Sequence, residues 1–264
     1  PNGVPRGLKD TAIPFHFNNI DELKQKADGI EKEIAAIIVE PARGEDAPRD
    51  YLILLKEFAQ DIGAVLIFDE ITSGFRMCPG GIHLNYGVNP DIAVFAKSIA
   101  NGYAMAAIIG TESVMQSAQS TFISSTNWTE RVGPVAAIAT IKKYINNNVA
   151  EHIIKVGNDV KSIWLKMAVK HKLSITVTGL PTLAAFLFEN ENNQKIMTYF
   201  TIELLNKGFL GFRQFKPSLA HSNNDVRKYE RAVDDVFYNI ATTPINELLN
   251  TPIAHTGFAR LTKE

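Results

Sequence analysis

The sequence predicts an α/β protein: a mainly parallel sheet in a larger first domain, residues 1–148, followed by a smaller carboxy-terminal α+β domain and tail, residues 149–264. Three observations predict it. Ile34 to Val39 and Ala64 to Phe68 are apolar runs of strand length that flank an amphipathic helical pattern, an order that reads as a right-handed βαβ unit. Two more short apolar runs, Asp91 to Ala96 and Ala104 to Gly110, extend the same sheet. Near Asn148 the pattern changes to long helices and alternating strands.

The elements follow in order. Pro1 to Phe17 is irregular and holds two further prolines, so the chain reads as entered midway, a fragment lacking an amino-terminal part. A short polar helix is expected from Ile20 to Glu33, then the strand to Val39, closed by Glu40-Pro41. Pro48 suits a first helical position, apolar residues recur at Leu52, Leu55, Phe58, Ala59 and Ile62, and Gly63 is a stop signal. The unbroken apolar run Ala64 to Phe68 predicts a strand buried on both faces, with Asp69 and Glu70 at its carboxyl end. A loop rich in Gly and Pro, Gly74 to Pro90, leads to the strand that delivers Lys97. Helices are expected over Val132 to Asn147 and Val149 to His171, a strand pair over Leu173 to Glu189 around Gly179-Leu180-Pro181, and a helix over Asn192 to Asn206. Ser222 with Asp225 opens a last helix ending near Ala241, and Pro244 to Glu264 reads as a surface-wrapping tail.

Composition excludes several function classes. With 27 basic and 28 acidic residues the formal net charge is -1, which favours neither a nucleic acid nor an anionic membrane. The single cysteine, Cys78, excludes an intrachain disulfide and a multi-cysteine zinc site, and it fits a reducing, cytoplasmic setting. His83 and His221 have no partners at metal-ligand spacing and read as structural or surface residues; no metal is expected. No apolar run is long enough to span a bilayer.

Ligands of open α/β sheets bind outside the carboxyl ends of the parallel strands, where Asp69 and Lys97 both stand. A lysine in such a place is the residue type that forms imines with aldehydes. Taken alone, Lys97 reads as solvated, and Asp69-Glu70 also imitates the magnesium-binding acid pair of a P-loop ATPase, but no G-x-x-x-x-G-K-[ST] occurs in the chain.

Val65-Leu66-Ile67-Phe68-Asp69-Glu70-Ile71, then Gly74-Phe75-Arg76, Pro90-Asp91 and Lys97, 28 residues after Asp69, resemble the signature of class III pyridoxal-phosphate-dependent aminotransferases, with the glutamate-1-semialdehyde aminomutase subgroup nearest. The resemblance runs from about Asn18 through Ala241. It implies a fold type I enzyme in which residues 1–148 are the carboxy-terminal part of the cofactor-binding large domain. It implies pyridoxal 5'-phosphate as cofactor, Lys97 as the Schiff-base lysine and proton carrier, Asp69 as partner of the pyridine nitrogen, and Ile71 against one face of the ring. It further implies a homodimer whose neighbouring subunit offers a threonine to the cofactor phosphate. Counting back from Gly133-Pro134 gives Thr129, with Thr126 a competitor, because Glu130-Arg131-Val132 replaces the usual small Gly-rich spacing.

The expected activity is transfer of an amino group between an amine or amino acid and a carbonyl compound, or a 2,1-amino shift. The other reading is a catalytically incomplete α/β module that dimerises or binds a partner. Glu40 is a candidate substrate contact or a turn residue, and Arg76 either recognises an anion or pairs with an acid in its loop. Trp128 and Tyr103 are core residues or line the pocket, and Cys78 is expected to be inert.

Overall fold

The computed structural model describes residues 3–42, 48–124, 126 and 129–257. Trp128 lies outside the described residues. The chain divides into two compact units, Pro1–Asn146 and Asn147–Glu264.

In the first unit, α1 (Ile20–Ala27) starts where the Asn19 side chain accepts the Glu22 amide at 3.0 Å. It is shorter than the pattern suggested, because Gly29 turns the chain with φ 80°, and Glu31–Glu33 form a separate 3-10 turn. The strand β1 (Ala36–Val39) follows. Pro48 precedes α2 (Arg49–Ile62) rather than opening it. Gly63 ends α2 in the left-handed conformation, with Ala64 donating to the Ala59 carbonyl at 2.9 Å. Next come β2 (Val65–Asp69), the short α3 (His83–Tyr86), β3 (Ile92–Phe95) and β4 (Ala107–Gly110). A one-turn α4 (Glu112–Met115) and α5 (Val132–Asn146) complete the unit.

The sheet order is β1-β2-β3-β4; β1, β2 and β3 are parallel and β4 is antiparallel to β3. Register sorts the side chains. Val39, Phe68 and Ala93 stand in one row, as do Ile37 and Leu66, and these residues are buried. Phe68 and Leu66 join Leu52, Leu55 and Ala59 of α2 in one core cluster, while Ala93 and Phe95 join Ile99 and Ala137 of α5 in another. Each fully buried aliphatic or aromatic side chain contributes roughly 1.5–3 kcal/mol.

The opposite face departs from expectation. Ile38 is exposed and Ile67, Asp69, Ile92 and Val94 are only partly buried, so β2 is buried on one face and not two. A continuous apolar run records that both sides avoid charge, not what covers them.

In the second unit, α6 (Val149–His171) is followed by β5 (Ile175–Thr178), β6 (Ala184–Phe188), α7 (Asn193–Asn206), β7 (Gln214–Phe215) and α8 (Asn223–Thr242). The three strands form an antiparallel sheet in the order β5-β6-β7. Trp164, Phe186, Phe188, Phe200 and Phe237 meet in one core cluster. Helix α6 comes so close to the following turn that a Cβ on Gly157 would sit 1.9 Å from the Pro181 carbonyl oxygen. Ser222 and Asp225 form the expected capping box on α8. The tail packs Leu248 into this core and ties Ala254 to the Thr198 hydroxyl at 3.1 Å.

Candidate active site

Asp69 is the last residue of β2 and pairs with Val94 of β3, whose strand ends two residues before Lys97. Both residues therefore lie at the carboxyl edge of adjacent parallel strands. The Asp69 Oδ1 accepts the Ile71 amide at 2.9 Å, a local turn that brings Ile71 back beside the strand end. Lys97 is exposed, its φ is 50°, and its Nζ donates to the Thr72 hydroxyl at 2.8 Å. A left-handed backbone at a residue other than glycine costs on the order of 1 kcal/mol, and Lys97 shares it with turn and cap residues such as Asn148 and Lys172. Glu40 stands directly after β1, at the same edge of the sheet, and is half-buried.

Glu70 has a different fate from its neighbour. Successive strand residues face opposite ways, so Asp69 on the more open face puts Glu70 on the sealed one. There Glu70 is fully buried. Its Oε1 accepts the His83 amide at 3.0 Å and meets His83 Nδ1 at 2.8 Å, while Oε2 accepts the Ser73 hydroxyl and the Ile82 amide. Burial alone would raise this carboxyl, but the hydrogen bonds from His83, Ser73 and the two amides outweigh it and hold it below the ordinary glutamate value.

The loop after β2 is built around this carboxylate. Gly74 donates to the Glu70 carbonyl at 2.8 Å, and a Cβ on Gly74 would lie 2.6 Å from the Phe95 ring. A Cβ on Gly81 would lie 2.4 Å from the His83 ring and 2.8 Å from the Glu70 carboxylate. Phe75 donates to the Gly80 carbonyl at 2.8 Å, and Arg76 Nε donates to the Thr72 carbonyl at 2.6 Å. No carboxylate among the described residues pairs with Arg76, so the expected acid partner is not found there. Asp91 locks the next strand in place: its carboxylate accepts the Leu66 amide at 2.8 Å and its own amide donates to Leu66 at 2.9 Å.

His83 is a structural histidine, and His221 Nδ1 accepts from the Ser218 amide and faces the Ser218 hydroxyl, both at 3.0 Å. Burial, helped by the nearby Glu70 carboxylate, pushes the Cys78 thiol up to about 11, which suppresses the reactive thiolate. Tyr103 is exposed, against the core alternative considered for it. Thr129 and Thr126 are both exposed, in the segment that precedes α5. Asp69, Ile71 and Lys97 thus share one strand edge with Glu40, and Thr129 lies on a separate loop.

The sequence reading passed over Thr72 and the structural part of Glu70. Strand parity marks Glu70 as facing away from Asp69, whereas nothing in the sequence marks His83 as its partner or Thr72 as the partner of Lys97. Among the described residues no group of three or more His, Cys, Asp or Glu side chains is placed to hold a metal ion, and no helix is long and apolar enough to cross a membrane.

Over most of its length the chain is similar to known proteins. The chain is 30% identical over 245 residues to 3-aminobutyryl-CoA aminotransferase of Cloacimonas acidaminovorans, covering 86% of this chain and 59% of that protein. It is 28% identical over 257 residues to glutamate-1-semialdehyde 2,1-aminomutase of Methanocaldococcus jannaschii, covering 89% of this chain and 60% of the relative. The chain thus spans about three-fifths of the length of the curated relatives it matches. Its fold is that of an omega-transaminase from Sphaerobacter thermophilus, with a TM-score of 0.82 at 20% identity over 92% of this chain and 60% of that one. The FumI protein of Sphingopyxis sp. MTA144 gives a TM-score of 0.81 at 22% identity, covering 90% of this chain and 60% of that one. These likenesses show the fold type I architecture that the sequence resemblance implied. A family model described as aminotransferase class-III matches residues 8–224, and the chain belongs to that family.

Proposed function

We propose that this chain carries the reactive edge of a pyridoxal-phosphate-dependent enzyme that moves an amino group, either between an amine or amino acid and a carbonyl compound or within one substrate as a 2,1-shift. One observation carries the reading: a carboxylate ends one strand and an exposed lysine follows the end of the adjacent parallel strand, in the order and spacing of the family signature.

The residues fit the cofactor chemically. Asp69 spends one carboxylate oxygen on the Ile71 amide and makes no other hydrogen bond among the described residues, which leaves an acceptor for a protonated ring nitrogen. Among the described residues the Lys97 amine is held by one hydroxyl alone, which leaves a primary amine for an aldehyde-bearing ligand. Pyridoxal phosphate, when bound, supplies an electrophilic aldehyde and a ring that delocalises the charge left by a departing proton. Lys97 serves as covalent tether and, when free, its Nζ carries a proton to and from the substrate carbon. Asp69 keeps a proton on the ring nitrogen by charge-assisted hydrogen bonding. Ile71 would pack against the ring, Glu40 would contact the substrate, and Thr129 would reach the phosphate held by a second subunit of a homodimer, an exchange that a two-fold axis would make reciprocal.

Titration of the whole protein with pyridoxal phosphate, followed by borohydride reduction and peptide mapping, tests this. A pyridoxyl group on Lys97 is expected; a label confined to another lysine would falsify the assignment.

A further inference from the structure

We propose that Thr72 is a positioning residue for Lys97, its hydroxyl receiving the ε-amine whenever that amine is free of the cofactor and holding it at the carboxyl edge of the sheet. The proposal rests on the reading of Lys97 given above.

The contact itself is the 2.8 Å hydrogen bond from Nζ to the Thr72 hydroxyl. A contact between two mobile side chains is ordinarily weak, because both must be ordered to make it. Here one partner is already fixed. The residue before Thr72 donates its amide to Asp69, the residue after it donates its hydroxyl to the buried Glu70, and the carbonyl of Thr72 itself accepts Arg76 Nε at 2.6 Å. The hydroxyl is therefore presented from a rigid turn. The lysine side starts from a set direction as well, since its backbone is held at φ 50° directly after β3.

The chemistry suits a hydroxyl better than a carboxylate or an apolar group. A lysine that carries a proton must be held both as ammonium and as neutral amine. A hydroxyl accepts from the first and donates to the second, whereas a carboxylate only accepts and favours the charged form. The long flexible stem of a lysine loses rotamer freedom when its tip is held. A partner at its tip restrains it near the place where the aldehyde must arrive.

The test uses the whole protein freed of cofactor, with pyridoxal phosphate itself as the probe. Capture joins the Lys97 nitrogen to the aldehyde carbon with loss of one water, and stopped-flow absorbance follows it; borohydride and peptide mass spectrometry locate it. Thr72→Val removes the hydroxyl at nearly constant shape, and Thr72→Ser keeps the hydroxyl without the methyl. In Thr72→Val the saturating capture rate is expected to fall about tenfold, because the unrestrained lysine stem samples more rotamers, while the half-saturating concentration stays within about twofold. Thr72→Ser is expected to restore the rate to within about threefold of the parent. Should Thr72→Val fail to fold, Thr72→Ala carries the same expectation. Equal rates in the parent and Thr72→Val, or a Thr72→Ser protein as slow as Thr72→Val, overturns the proposal while leaving Lys97 as the tether. A parent protein labelled elsewhere than at Lys97 overturns the tether reading, and Thr72 falls with it.

Discussion

Across β1, β2 and β3 the sheet has two unlike faces. On one, Ile37, Val39, Leu66, Phe68 and Ala93 are sealed; on the other, Ile38 is exposed and Ile67, Asp69 and Val94 are only partly covered. Asp69 and Glu70 are chain neighbours of the same chemistry, and the period of two along a strand sends one to each face. The sealed carboxylate is saturated by four hydrogen bonds and holds a loop together. The other accepts one among the described residues and keeps capacity for a ligand. Position on the sheet, not residue type, separates a structural acid from one available for chemistry.

Substitutions at the strand edge should have the largest effect, on turnover and not on folding. Lys97→Ala is expected to abolish turnover in the whole protein while its thermal midpoint stays close to the parent's, since Lys97 is exposed. Asp69→Asn is expected to lower turnover by about a thousandfold or more, because an amide cannot hold a proton on a ring nitrogen. Steady-state assays with circular dichroism as the folding control check both; near-normal turnover of Asp69→Asn would remove the distinction between the two acids.

On the sealed face the effects should pass to stability. Phe68→Ala empties a fully buried site between the sheet and α2, and is expected to cost about 3–5 kcal/mol in urea unfolding. Glu70→Gln keeps the shape but loses the charge that four donors address, so a loss of about 2 kcal/mol is expected near neutral pH. The pH dependence carries a definite sign. The folded carboxyl of Glu70 lies below its unfolded value, so its contribution is fully present above the unfolded value and disappears as pH falls through the folded one. The parent should therefore approach Glu70→Gln in stability as pH falls below the ordinary glutamate value, and a gap that persists undiminished at the acid end would contradict the charge argument.

Much of this was legible in the sequence because it is local and periodic. The alternation of strand and helix around Leu52 to Ile62, the stop at Gly63 and the cap at Ser222 follow from spacing and residue type, and so does the placing of Asp69 and Lys97 on strand ends. The candidate site residues that only the family resemblance proposes, Ile71 and Thr129, divide: Ile71 turns back to Asp69, whereas Thr129 lies exposed on another loop. What escaped the sequence is contact across irregular chain. Glu70 meets His83 over 13 residues of loop, and Lys97 meets Thr72 over 25, distances at which no periodicity operates. The burial of β2 on one face escaped for another reason: Ala64 to Phe68 is apolar on both sides, so the run cannot say which side is covered.

Ile38 offers the smallest and most discriminating test of the two faces. It stands between Ile37 and Val39 in the same short strand, so the three share backbone geometry and differ only in where they point. Its neighbours are 3% and 8% exposed, while Ile38 is 61% exposed. Threonine is β-branched like isoleucine and keeps the strand preference, so Ile38→Thr changes polarity with little change in local conformation. In this 264-residue chain the cost should be below about 0.5 kcal/mol, the range of surface substitutions, whereas Ile37→Thr should cost about 2 kcal/mol or more by burying a hydroxyl. Urea midpoints at constant slope give both numbers. The same pair measured in the whole protein sharpens the comparison. If Ile38→Thr then costs as much as Ile37→Thr, a further segment or a second subunit covers this face, and Asp69, in the same sheet face, is enclosed with it. If the cost stays small, the face that carries Asp69 remains open to solvent and the site is reached from that side.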